Sequence, residues 1–256
     1  MPTRKKWANG TVCALFIKLM DLKRFFCEEN INGDVVILTG DEFYHAVKVT
    51  RHKTGYKLVV CDNLGYDYYC TVTEIGKDFL AAKIDQKAEN PVESTFTLNL
   101  YIGNNKDLDT VVQKAVELGV KNVIPFTSQH CNVKNINRDR LEKIVTESSK
   151  QCGRAIKAVI YDQIDFAEVV KKVKNSNSYL FYEYENDNKV SDSVIDYEKE
   201  INIIIGPEGG FSEEEIAKAK GNGIKTYTLG KRILRVGTAV VAACVLINEK
   251  ADGETK

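Results

Sequence analysis

From Thr97 onward the chain alternates short aliphatic runs with segments of helical period, and no other feature narrows the fold as far. TLNLYIG (97–103), VIPF (123–126), AVIYD (158–162), YLFYE (179–183), INIII (201–205) and TYTLG (226–230) are short, aliphatic or aromatic, and bounded by turn residues. Such runs read as strands. Between them Leu108, Val111, Val112, Ala115 and Leu118 recur at helical spacing and end at Gly119, as do Phe166, Val169, Val170 and Val173. Leu141, Ile144, Val145 and Ser148 mark a further helix face, and Thr238–Asn248 is an almost wholly apolar helix. This order predicts an α/β domain over residues 96–252, with a mainly parallel sheet covered on both faces.

The upstream part has another rhythm. RFFC (24–27), DVVIL (34–38), YKLVVCD (56–62), DYYCTVTEI (67–75) and FLAAKID (79–85) are closely spaced and rich in β-branched and aromatic residues. They predict a small β-barrel over 20–88, with one helical piece at Asp41–Val49. The polar stretch KAENPVEST (87–95) reads as the linker. Residues 1–19 read as an N-terminal extension, with folding beginning near Met20.

Total charge is zero, 36 Lys and Arg against 36 Asp and Glu, and so selects no partner. Its distribution does more. Between Lys121 and Lys157 eight Lys/Arg face three acids, whereas between Glu183 and Glu215 eleven acids face two lysines. The seven cysteines are scattered, form no CxxC and have no histidine at zinc spacing. They are expected to be reduced and mostly buried, in a cytoplasmic protein without a metal site. No apolar run approaches the roughly 18 residues of a membrane span.

Two glycine loops follow consecutive strands. In IIIGPEGGFSEEEI (203–216) a buried strand stops at Gly206-Pro207-Glu208-Gly209-Gly210, and Ser212 and Glu215 stand at capping-box spacing. In LGKRILRVGTA (229–239) a strand end leads through a basic loop to the last helix. Ligands of open α/β sheets bind where strands end, and glycine lets them approach bare backbone. Glu208, Glu213, Glu214 and Glu215 would repel a polyphosphate and tolerate a cationic or zwitterionic ligand. Neither GxxxxGK[ST] nor GxGxxG after a strand is present. A tight turn with a well-capped helix is the plain alternative.

GPEGGFSEEEI followed by LGKRILRVGTA resembles the C-terminal signature of the SPOUT class of RNA methyltransferases, and within it the 16S rRNA (uracil-N3)-methyltransferase family. KDLDTVVQKAVELGVKNVIPFTSQHC (106–131) and ESSKQCGRAIKAVI (147–160) are similar to other segments of that family. MDLKRFF, LTGDEFYHAVKVTR and GYDYYCTVTEI resemble its PUA-like RNA-binding barrel. The resemblance covers residues 20 to 250. It implies a parallel sheet with a C-terminal trefoil knot, S-adenosylmethionine as donor, and ribosomal RNA or the small ribosomal subunit as substrate. It also implies a homodimer through the knot region.

The resemblance implies a donor site at Phe181, Ile205, Gly206, Pro207, Glu208, Gly209, Gly210, Leu229, Gly230, Ile233, Leu234, Thr238 and Ala239. Arg235 is expected to orient or stabilise the target base, with Glu208 and Arg154 as further catalytic candidates. Lys23, Arg24, His45, Arg51, Lys150, Arg154 and Arg232 are expected to contact RNA. Glu208 alternatively caps a backbone amide, and Thr238 is expected to N-cap the last helix. One position departs from the family's usual R-x-E-T-A: Gly237 stands where that pattern has Glu. Two other functions remain open, ribose 2′-O methylation on the same fold and a non-catalytic RNA-binding assembly factor.

Overall fold

A computed structural model describes residues 22–254, with side chains to Ala251, so the expected extension over 1–19 lies outside the described residues. The chain divides into two units, one reaching to Glu93 and taking in Lys150–Ile156, the other formed by Ser94–Ser149 and the chain from Lys157.

In the first unit the strands are β1 (Arg24–Phe26), β2 (Ile31–Asn32), β3 (Val35–Thr39), β4 (Lys57–Cys61), β5 (Tyr66–Ile75) and β6 (Phe79–Glu89). They pair in the order β1-β4-β5-β6-β3-β2, antiparallel except for β1 with β4. A small β-barrel was expected; among the described residues β1 and β2 end this path and are not paired with each other. With two residues, β2 is too short to carry a second ladder. Alternate residues of the strands fill one core, including Phe25, Leu38, Leu58, Val60, Val72 and Leu80. The expected helical piece is a five-residue α1 (Gly40–Tyr44) running into a π turn at His45–Val49.

Polar groups fasten the segment 150–156 within this unit. Asn90 donates to the Gly153 carbonyl at 2.9 Å, and Glu93 Oε1 accepts from the N–H of Ala155 and Ile156 at 3.1 and 2.9 Å. Each bond satisfies a backbone group that burial would otherwise leave unpaired.

The second unit contains β7 (Leu98–Gly103), α2 (Leu108–Glu117), β8 (Asn122–Thr127), α3 (Arg138–Cys152), β9 (Val159–Ile160), β10 (Ile164–Asp165) and α4 (Phe166–Val173). It continues with β11 (Asn177–Phe181), β12 (Ile201–Ile205), α5 (Glu213–Gly221), β13 (Lys225–Tyr227) and α6 (Val236–Glu254). The last turn of α3 counts with the first unit. The sheet order is β10-β8-β7-β12-β11-β13, all parallel, with β9 also on β8. Both faces are covered, so β7 and β12 are buried at every residue, as continuous rather than alternating hydrophobic runs require.

Of the strand expected at 158–162 only Val159–Ile160 forms, as β9, and pairing with β8 resumes beyond it at β10. Val159 and Tyr161 donate to the Lys121 and Val123 carbonyls, so odd-numbered residues of β8 face this neighbour. The next on that side is Pro125, which has no N–H to offer, and the pairing breaks there.

A row of amides crosses the central strands. Asn122 donates to Asn99 at 2.8 Å, Asn99 to Asn202 at 2.9 Å, and Asn202 to Ser176 at 3.0 Å. Asn99 and Asn202 are buried, and each amide supplies its neighbour with a partner.

Burial also governs the thiols: it pushes Cys61, Cys70 and Cys244 up to about 12. Because the thiolate is the reactive form, these three cysteines are expected to resist a thiol reagent at about pH 8 in the folded protein. They should react once denaturant is added, as peptide mapping of the labelled sites will show.

Candidate functional site

The two central strands, β7 and β12, bring Gly103 against the turn at Gly206-Pro207. A Cβ on Gly103 would lie 2.4 Å from the Pro207 nitrogen and 2.8 Å from the Gly206 carbonyl carbon. No side chain fits there, so the turn sits directly on its neighbouring strand. Beneath it Phe211 packs with Phe126 and Phe166, the ring centroids 6.2 and 5.0 Å away.

The glutamates of this loop are turned to structural use. Glu208 Oε1 accepts the Lys106 N–H at 2.9 Å. Glu215 completes the capping box with Ser212 and also accepts the Gln129 N–H at 2.9 Å. The His130 ring nitrogen Nδ1 lies 3.1 Å from the Gly209 carbonyl. The loops after β7 and β8 are thereby tied to the loop after β12.

A cleft opens beside this loop. Phe181 at the end of β11, Ile205 at the end of β12, and Leu229, Leu234, Val236 and Ala239 from the second glycine loop and α6 give it apolar walls. Gly206, Pro207, Gly210 and Gly230 contribute backbone, and Tyr182, Glu183, Thr228 and Arg232 are its polar lining. Gly210 and Gly230 have φ of +69° and +106°, the left-handed region that favours glycine. Burial, with the negative charge of Glu183 and Glu213, pushes the Tyr182 phenol up.

The expected donor residues therefore divide. Phe181, Ile205, Gly206, Pro207, Gly210, Leu229, Gly230, Leu234 and Ala239 surround one cleft; Glu208, Gly209, Ile233 and Thr238 are not among its lining. Ile233 is 80% exposed. Thr238 does not cap α6: the helix begins at Val236, and the Ala239 N–H already reaches the Arg235 carbonyl at 2.9 Å. Arg232, expected at RNA, lines the cleft, whereas Arg235 is exposed outside its lining. Tyr182, Glu183, Thr228 and Val236 were missed. The first two directly follow Phe181, where the strand-end rule could have found them.

Three expected RNA contacts are engaged within the first unit. Arg154 is 3% exposed, pairs with Glu93 at 3.3 Å and is not among the lining of the cleft. Arg24 grips Asp67 through two bonds of 2.7 and 2.8 Å. Burial opposes its charge, but those bonds outweigh it and hold the guanidinium pKa raised. The Lys150 ammonium lies 2.8 Å from Glu42, its side chain 10% exposed. Lys23 and Arg51 are exposed, while His45 packs edge-on against Phe25.

An open parallel sheet with a backbone-rimmed cleft at the carboxyl ends of its strands defines a ligand-binding α/β protein. Residues 88–248 match the RNA methyltransferase domain and residues 38–85 the RNA methyltransferase PUA domain. The chain is similar to the ribosomal RNA small subunit methyltransferase E of Rickettsia conorii, 30% identical over 212 residues, 80% of this chain and 86% of the relative. To that of Mesomycoplasma hyopneumoniae it is 32% identical over 226 residues, 85% and 95% of the two chains. A crystal structure of ribosomal RNA small subunit methyltransferase E from Neisseria gonorrhoeae, bound to S-adenosyl methionine, matches with a TM-score of 0.83. There the identity is 27%, over 90% of this chain and 98% of that one. The chain belongs to the ribosomal RNA small subunit methyltransferase E family of RNA methyltransferases.

Replacing Gly103 with Ala is expected to lower unfolding stability by about 1–3 kcal/mol, the usual cost of overpacking. Urea titration measures this, and a parallel loss of ligand affinity would show that the turn moves.

Proposed function

We propose that this chain methylates N3 of a uracil in 16S ribosomal RNA, with S-adenosylmethionine as the methyl donor. The observation that carries the reading is the cleft itself: apolar walls, bare backbone at Gly206, Gly210 and Gly230, in a chain whose relatives are named small subunit ribosomal RNA methyltransferases, one of them solved with S-adenosyl methionine bound. The residues fit the donor. Phe181, Ile205, Leu234 and Ala239 offer an apolar bed for an aromatic base, and the backbone rim offers hydrogen bonds. When bound, the donor supplies an electrophilic methyl group on a sulfonium sulfur.

This chain must then handle the N3 proton. A guanidinium beside the base favours its anion, with the N3 proton passing to solvent water, and Arg235, exposed at the start of α6, is the residue we assign to stabilising that anion. Glu208 holds the Lys106 amide instead of standing in the cleft. Gly237 supplies no carboxylate, although only Val111 stands within 4.0 Å of a Cβ there. The first unit, matching the PUA domain, is assigned to RNA through exposed groups including Lys23 and Arg51.

The reading extends to a C-terminal trefoil knot and to a homodimer. The crossing order β7-β12-β11-β13 agrees with the former. The latter is supported by α6, which presents Val245 and Leu246 at 41% and 42% exposure beside Val241 and Ala242. No helix among the described residues is long and apolar enough to cross a membrane. We place the protein in the cytoplasm with its ribosomal substrate.

Incubation with small-subunit RNA and the donor is expected to yield 3-methyluridine on nuclease digestion and mass spectrometry. A methylated ribose would replace this reading with 2′-O transfer, and donor binding without any product would favour an assembly factor. Arg235→Ala should lower kcat by about 10²-fold and leave donor affinity within about twofold, by calorimetry. Gly237→Glu should fold normally, and a rise in its turnover would show that a carboxylate there assists.

A further inference from the structure

The carboxylates near the cleft differ in what they hold. Glu208 and Glu215 are engaged with the backbone amides of Lys106, Gln129 and Ser212. Gly237 brings none. Glu183 alone among the glutamates lines the cleft, and among the described residues its carboxylate makes no hydrogen bond or ion pair. It sits two residues past Phe181, on the wall shared with Gly206 and Gly210.

Its carboxylate lies against Gly210. Glu183 Oε1 lies 2.1 Å from the point where a Cβ on Gly210 would stand, so the carboxylate occupies the room that this glycine leaves. Gly210, at φ +69°, gives the loop its turn and the carboxylate its seat. Arg232 is the cationic member of the same lining. The cleft thus offers one unpaired negative group and one positive group above apolar walls.

Resting on the methyl-donor reading, we propose that Glu183 is a specificity-determining residue that recognises the cationic end of the donor. The donor carries two candidate cations, the sulfonium and the α-ammonium. Both attract a carboxylate, whereas the neutral thioether nucleoside 5′-methylthioadenosine carries neither. An unpaired carboxylate in a water-accessible cleft acts by charge, so its contribution falls as salt rises. Selection of the charged donor is a function the backbone loops, which carry no net charge, do not perform.

The test is calorimetric binding of S-adenosylmethionine, S-adenosylhomocysteine and 5′-methylthioadenosine to the full chain and to Glu183→Gln and Glu183→Asp. Glu183→Gln is expected to weaken S-adenosylmethionine about tenfold at low salt, less at high salt, and to leave 5′-methylthioadenosine within about twofold. Glu183→Asp should retain most of the affinity. S-adenosylhomocysteine weakened alongside the donor assigns the carboxylate to the ammonium; if spared, it assigns it to the sulfonium, and either supports the proposal. Unchanged donor affinity in Glu183→Gln overturns it, as does an equal loss on all three ligands. A wild-type chain that binds none of the three would overturn the donor reading itself, a result distinct from a silent substitution at residue 183.

Discussion

The contact between Gly103 and the Gly206-Pro207 turn is the constraint on which the site depends. Two parallel strands lie side by side at the centre of the sheet, and their ends must diverge for a cleft to open. Here the loop after β12 lies directly on the last residue of β7, so close that a Cβ on Gly103 would stand 2.4 Å from the Pro207 nitrogen. The backbone atoms of the turn are thereby fixed by a close-packed neighbour. A rim made of backbone has no rotamers to lose, so its hydrogen-bonding groups are positioned before a ligand arrives.

The acidic helix start also changes meaning in three dimensions. Its glutamates invite a reading in terms of ligand charge. In the structure Glu208 and Glu215 satisfy backbone N–H groups of loops that follow other strands. A carboxylate accepting a backbone amide makes a charge-assisted bond, stronger than a neutral one. Negative charge near the first turn of α5 is favourable to that helix as well. The acidic helix start therefore ties the loops around the cleft to one another.

Much of the second unit was legible because its strands are short aliphatic or aromatic runs separated by strongly periodic helices. The strand-end rule placed both glycine loops, and the structure gathers nine of the expected residues around one cleft. Pro125 was visible but its consequence was not, since the break in pairing depends on which side of β8 faces β9. Arg24, Lys150 and Arg154 read as basic surface because sequence spacing does not reveal a partner. Asp67, Glu42 and Glu93 are 43, 108 and 61 positions away from them along the chain. Gly210 was recognised as a turn residue, while the side chain beside it, Glu183, lies at the exit of another strand, and sequence spacing does not show that the two meet.

The amides of Asn99, Asn122 and Asn202 act as a combination lock for the order of the strands. Sliding β7 past β8 or β12 by a single residue would invert which side chains face each helix layer. It would also strand buried amides without partners, at a cost hydrophobic contacts alone do not impose. Aliphatic strands such as LNLYIG and INIII are otherwise nearly interchangeable in their appetite for one another. Three polar residues in an oily sheet thus exclude its mispaired versions, and the strand ends that carry the chemistry arrive level with one another.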